Sequence, residues 1–121
     1  IPVSIFNKEL TVLESVVKYL KEENSLSFSE ISDVIASDQR NIWHIYAATK
    51  KKLFEKFIVK DVKFWIPVSI FSDSKFSALE SLVVYLKEKC SLTYHEIAVL
   101  LSRNDRTIWT VYSRARKKYV K

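Results

Sequence analysis

The sequence repeats itself, and that constrains its fold more than any other feature. Ile1-Pro2-Val3-Ser4-Ile5-Phe6 returns unchanged as Ile66-Pro67-Val68-Ser69-Ile70-Phe71. After a one-residue insertion (Asn7 to Glu9 against Ser72 to Lys75), a register of 66 residues holds to the end. Between 10–55 and 76–121 there are 18 identities in 46 pairs, far above chance. They include Leu13-Glu14-Ser15, Tyr19-Leu20-Lys21-Glu22, Arg40, Ile42, Trp43 and Tyr46 of the first copy. A tandem duplication of this size divides the 121 residues into units 1–65 and 66–121.

Each copy reads as three helices, so the expected class is all-α. The first helix covers about 12–23, with Leu13, Val16, Val17 and Leu20 at the helical period. Thr11-x-x-Glu14 opens it as a capping box, kept in the second copy as Ser77-x-x-Glu80. A second, shorter helix opens with Ser27-x-x-Glu30 or Thr93-x-x-Glu96 and ends near Ala36 or Ser102. A tight turn follows, and Asp38 or Asn104 caps the third helix. Its apolar stripe is Ile42, Ile45, Tyr46 and Leu53, or Ile108, Val111, Tyr112 and Tyr119. The stretch 54–65 mixes Lys with aromatic and β-branched residues, and with the second hexapeptide it reads as a short extended segment. Either it packs its apolar side chains on the helices, or the two hexapeptides pair as β-strands and fix the units together.

Composition excludes several functions. The chain has no Gly, which removes glycine-rich phosphate loops, the dinucleotide fingerprint and the nucleophile elbow together. No apolar run approaches the ~18 residues of a membrane span, and no signal peptide is visible. Cys90 is the single cysteine, so no disulfide forms within the chain and a reducing, cytoplasmic setting is expected. One Cys and two unrepeated His, His44 and His95, supply no zinc ligand set, and neither a cofactor nor an enzymatic activity is expected. The lack of Met reads as a piece of a longer protein.

The second and third helices carry a resemblance. Thr93-Tyr94-His95-Glu96-Ile97-Ala98-Val99-Leu100-Leu101, then Arg106-Thr107-Ile108-Trp109 and Arg114-Ala115-Arg116-Lys117-Lys118, resemble the helix-turn-helix of region 4 of sigma-70 family factors. Glu30-Ile31-Ser32 and Asn41-Ile42 occupy the same places in the first copy. The likeness covers about 25 residues per unit and implies a DNA-binding module, without the promoter-melting regions of a sigma factor. Where that family commonly has a turn Gly, this chain has Ala36 and Ser102; where it has a buried apolar turn residue, this chain has Ser37 and Arg103.

Physical reasoning reaches the same place separately. A helix fits the major groove, and residues near its N-terminus reach base edges. On the third helix Arg40, His44, Ala47 and Lys51 lie opposite the apolar stripe, as do Arg106, Thr110, Ser113 and Lys117 in the copy. The neighbouring Gln39, Lys50, Arg103, Asp105, Thr107 and Arg114 complete the candidate DNA contacts. The alternatives are a merely solvated face, and for Arg40 and Arg106 an ion pair with Glu30 or Glu96. Trp43 and Trp109 are expected to close the bundle against the first helix.

Charge supports the DNA reading. Residues 50–63 carry a net +4 and 103–121 a net +6, although the whole chain is only +6. Basic charge therefore gathers on the third helices and just beyond, the footprint of a phosphate-facing surface. Lysines at a helix C-terminus also complement the macrodipole. The expected function is double-stranded DNA binding through paired helix-turn-helix units, as a transcriptional regulator or a nucleoid-associated organising protein. A protein-interaction module is the competing class, docking a transcription-machinery protein or a second copy.

Overall fold

The structure, a computed structural model, describes residues 1–59 and 63–119, with the backbone alone for Tyr119. The Tyr119 side chain, expected on the apolar stripe, lies outside the described residues. So do Lys60, Asp61 and Lys121, which enter the segment charges. Among the described residues there are six α-helices and no strand: α1 Val12–Glu22, α2 Phe28–Val34, α3 Gln39–Lys52, α4 Ala78–Glu88, α5 Tyr94–Leu101 and α6 Asp105–Tyr119. No helix among them is long and apolar enough to cross a membrane.

The helix starts are where the side chains demand them. All four capping boxes close, each Thr or Ser oxygen accepting from the Glu backbone N–H while that Glu accepts from the cap N–H. Asp38 caps α3 by accepting from Arg40 N at 2.7 Å, and Asn104 Oδ1 accepts from Thr107 N at 2.8 Å ahead of α6. The helix ends are less conventional. With no Gly available, Ser25, Ala36, Ser91 and Ser102 take left-handed backbone, with φ between 52° and 56°. Ser37 N then reaches Ser32 O at 3.1 Å, and Arg103 N reaches Ala98 O at 2.9 Å, which ties off α2 and α5. The turn therefore keeps the geometry usually given to Gly, with Ala36 and Ser102 bearing the steric cost.

The hexapeptides do not pair as β-strands: only their first residues meet, Ile1 and Ile66 exchanging backbone hydrogen bonds, and each hexapeptide then turns. Pro2 and Pro67 each precede a 3-10 turn, Val3–Ile5 and Val68–Ser72. In a strand Ile5 and Phe6 would face opposite sides; the tighter turn lets Val3, Ile5 and Phe6 all be buried while Ser4 stays exposed. Pairing is confined to the turn's approach. Pro2 and Trp65 form one isolated antiparallel bridge, with Val3 N donating to Phe64 O at 2.9 Å and Ile66 N to Ile1 O at 2.6 Å.

Within a unit the three helices touch one another, α1 with α2 and α3, and α2 with α3; the second unit repeats this. The units do not keep separate cores. One contiguous cluster takes Val16, Val17, Leu20, Ile31 and Ile42 from the first and Leu82, Val83, Leu86, Ile97 and Ile108 from the second. Helices α1 and α4 pack together, and the 3-10 turns cross over: the first lies on α5 and the second on α2 as well as on α4. A unit of about 55 residues buries too little apolar surface alone, and merging the cores relieves that. The expected packing of the linker's apolar side chains holds in part: Ile66 is 1% exposed and Phe57 and Phe64 are partly buried against the core, while Trp65 is 61% exposed.

Candidate nucleic-acid interface

The core leaves open the outer face of each third helix, beside the exposed Ser29, Glu30 and Asp33 of α2 and His95, Glu96 and Val99 of α5. Ile42 in α3, and Ile108, Val111 and Ala115 in α6, point into the core. Gln39, Arg40, His44 and Lys51 are exposed, with Ala47 half-buried; Arg106, Arg114 and Lys117 are exposed, with Thr107, Thr110 and Ser113 half-buried. Arg40 and Arg106, two residues after their caps, make no ion pair or side-chain hydrogen bond among the described residues, so neither is held by Glu30 or Glu96. Those two glutamates are engaged in their capping boxes, whose Ser27 and Thr93 backbone N–H groups hold both carboxyls below the ordinary 4.5.

Other candidates are committed elsewhere. Lys50 Nζ lies 3.3 Å from Glu22 and 4.2 Å from the Phe54 ring centroid, beside Tyr46. The second copy repeats the latch, with Tyr112 Oη donating to Glu88 at 2.7 Å and Arg116 at 3.5 Å from the same carboxylate. Burial, and the bond it donates to Glu22, push the Tyr46 hydroxyl up to about 12. A second latch joins Lys52 to Glu14 at 2.9 Å and Lys118 to Glu80 at 2.6 Å. Burial opposes ionisation of both glutamates, but the cap N–H groups and these lysines outweigh it and hold both carboxyls below 4.5. The basic C-terminal turns of the third helices are thus partly structural.

Arg103 is structural too. Its guanidinium donates to Leu101 O at 2.7 Å, Asn7 O at 2.9 Å and Leu10 O at 3.3 Å, clamping the α5–α6 turn to the entry of α1. In the first copy the same place is Ser37, so the clamp is one-sided. Asp105 faces His95, with both carboxylate oxygens 3.1 Å from Nδ1, on the exposed shoulder of the α5–α6 turn. Among the described residues no group of three His, Cys, Asp or Glu side chains could hold a metal ion.

The tryptophans differ most from expectation. Trp43 is 52% exposed and Trp109 55%, so neither closes the bundle against α1 or α4. Trp43 lies three residues after Arg40 and four before Ala47, which puts it on the outer face, and Trp109 stands likewise between Arg106 and Ser113. That spacing is legible in the sequence.

Lys18 was equally unforeseen. It is fully buried on α1, 2.7 Å from Glu22 and 5.4 Å from the Phe57 ring centroid, where the second copy has Val84. No family model, curated protein or solved structure matches this chain.

Proposed function

We propose that the protein binds double-stranded DNA through two helix-turn-helix units, α2–α3 and α5–α6, as a transcriptional regulator or a DNA-organising protein. The observation that carries this is the pair of third-helix faces. Both are left open by the core, and both present an unpaired Arg near the helix N-terminus, where a recognition helix meets base edges. Small side chains follow at Ala47, Thr110 and Ser113, which let the helix approach a groove closely. Lys51, Arg114 and Lys117 flank these faces without an ion pair among the described residues, free to meet phosphates.

The test is duplex retention against salt. Binding that falls steeply as salt rises supports the reading, and affinity no greater than that of an equally basic unrelated protein refutes it. Arg40→Ala and Arg106→Ala should each cost about 1–3 kcal/mol of duplex affinity with no change in melting temperature. The competing reading, a module docking a transcription-machinery protein or a second copy, draws on the exposed tryptophans. A chain that ignores duplex DNA would favour it.

A further inference from the structure

Two large aromatic side chains, Trp43 and Trp109, stand half out of the surface at equivalent positions, on the outer faces of the two third helices. Val99, another well-exposed apolar residue, does not repeat in this way. Its counterpart is the charged Asp33, whereas the tryptophan stays in a repeat that changes most of its residues. Exposure is therefore built into the unit at this one place.

The surroundings of each indole define what it can meet. Around Trp43, an open hollow of about 340 Å³ is lined by Phe28, Gln39, Arg40 and the indole itself. The His44 ring meets Trp43 edge-on, with centroids 5.2 Å apart, and stiffens its outer side. Around Trp109 stand Arg106 and Thr110, with Ser113 one turn on. Each site thus combines a flat apolar surface with one unpaired guanidinium a turn nearer the helix N-terminus. An apolar docking surface for a protein would be ringed by mixed charge. Here the exposed cations without an ion pair on the face are Arg40 and Lys51 in one unit and Arg106, Arg114 and Lys117 in the other, outnumbering the exposed Asp38 and Asp105 at the helix starts. The complement is a polyanion that also offers apolar groups at the depth of a helix's first turns.

We infer that Trp43 and Trp109 are direct contact residues for duplex DNA, seating their indoles on thymine methyl groups in the major groove while Arg40 and Arg106 bond neighbouring purine edges or phosphates. This rests on the duplex-binding reading above and adds a sequence preference to it. In the major groove the thymine C5 methyl is the one apolar feature that distinguishes a base pair, and apolar side chains read it. Stacking on unpaired bases, the other common use of an exposed aromatic, wants a groove or sheet that tracks a single strand; a convex helix face offers none.

The experiment selects bound sequences from a random duplex pool, using the full chain and its Trp43→Ala and Trp109→Ala variants. Circular-dichroism melts run alongside, and the half-exposed positions make both variants fold like the parent. The parent should enrich thymine at fixed positions, and each variant should lose the preference at its own half of the motif. For the selected duplex, each variant should bind about tenfold more weakly, with the salt slope unchanged. Replacing thymine by uracil in that duplex, which deletes only the methyl, should reproduce the loss in the parent and have no effect in the matching variant. A parent that shows no salt-dependent duplex binding overturns the DNA reading itself. A parent that binds duplex, while both variants keep its motif and its uracil sensitivity, overturns this inference alone. Tighter binding to single-stranded oligothymidine than to any duplex, lost in the tryptophan variants, overturns it in favour of stacking.

Discussion

Replacing Ala36 and Ser102 by Gly tests the turn on which the third helices hang. Both residues hold left-handed backbone, at φ 52° and 55°. A side chain with a Cβ costs roughly 1–2 kcal/mol there. Gly removes that cost but gives the unfolded chain more freedom, offsetting about 0.4–1 kcal/mol of the gain. Both side chains are exposed and neither makes a side-chain hydrogen bond, so truncation sacrifices no contact. The net expectation is a gain of about 0.5–1 kcal/mol per site and about 1–2 kcal/mol for the double variant. Unfolding entropy near 2.1 cal/mol/K per residue makes that a rise of about 4–8 °C in melting temperature. Urea titration followed by helical circular dichroism should show a higher midpoint at unchanged slope. Ala36→Val, a β-branched side chain forced into the same backbone, should move the midpoint the other way. Gly variants that lose stability, or a Val variant that melts like the parent, would refute the assignment of steric cost to these turns.

Three further outcomes follow from the contacts. Gln at Arg114 and Lys117 together should flatten the salt dependence of duplex binding by about 2 in slope, against about 1 for Lys51→Gln, while Gln at the latched Lys50 or Arg116 should change it little. An equal effect of latched and free cations would break the distinction. Below pH 4.5 stability should decline. Glu14, Glu22, Glu30, Glu80 and Glu96 all have carboxyls held below that value, so their contribution is complete above it and is lost as pH falls through the lowered folded values. A urea midpoint that stays flat from pH 6 to about pH 3 would show that these networks stabilise little. In the linker, Ile66→Ala should cost about 2–5 kcal/mol and Trp65→Ser within about 0.5 kcal/mol, read from the same melts; the reverse order would contradict the burial pattern.

What could be read from the residues beforehand was local. Six helices, four capping boxes and two N-caps each depend on side chains within four residues of the backbone they satisfy, so their spacing announces them. The partners that matter across the molecule leave no such trace. Nothing near Arg103 announces that Asn7 and Leu10 supply its acceptors, and nothing in Pro-Val-Ser-Ile-Phe says that its turn lies on the other unit. Lys50 and Lys52 read as free cations because Glu22 and Glu14 are far away in sequence. Only comparison of the copies could have linked them: Glu14 with Lys52 and Glu22 with Tyr46 recur as Glu80 with Lys118 and Glu88 with Tyr112. Trp43 differs again: its three-residue spacing from Arg40 sets its outer face, which the buried stripe alone does not.

The crossing of the 3-10 turns puts the order of synthesis at odds with the order of folding. Val3 and Ile5 leave the ribosome early, yet the helix they lie on, α5, is made some 90 residues later. The carbonyls of Asn7 and Leu10 wait for Arg103, 96 and 93 residues downstream. At roughly 5–20 residues per second that interval lasts about 5–20 s, during which the apolar turn lacks the part of its native cover that α5 supplies. The first unit can wind its helices in that time but cannot finish its packing. A nascent chain of this kind depends on being completed, and a ribosome stalled between the repeats would hold out a half-built core.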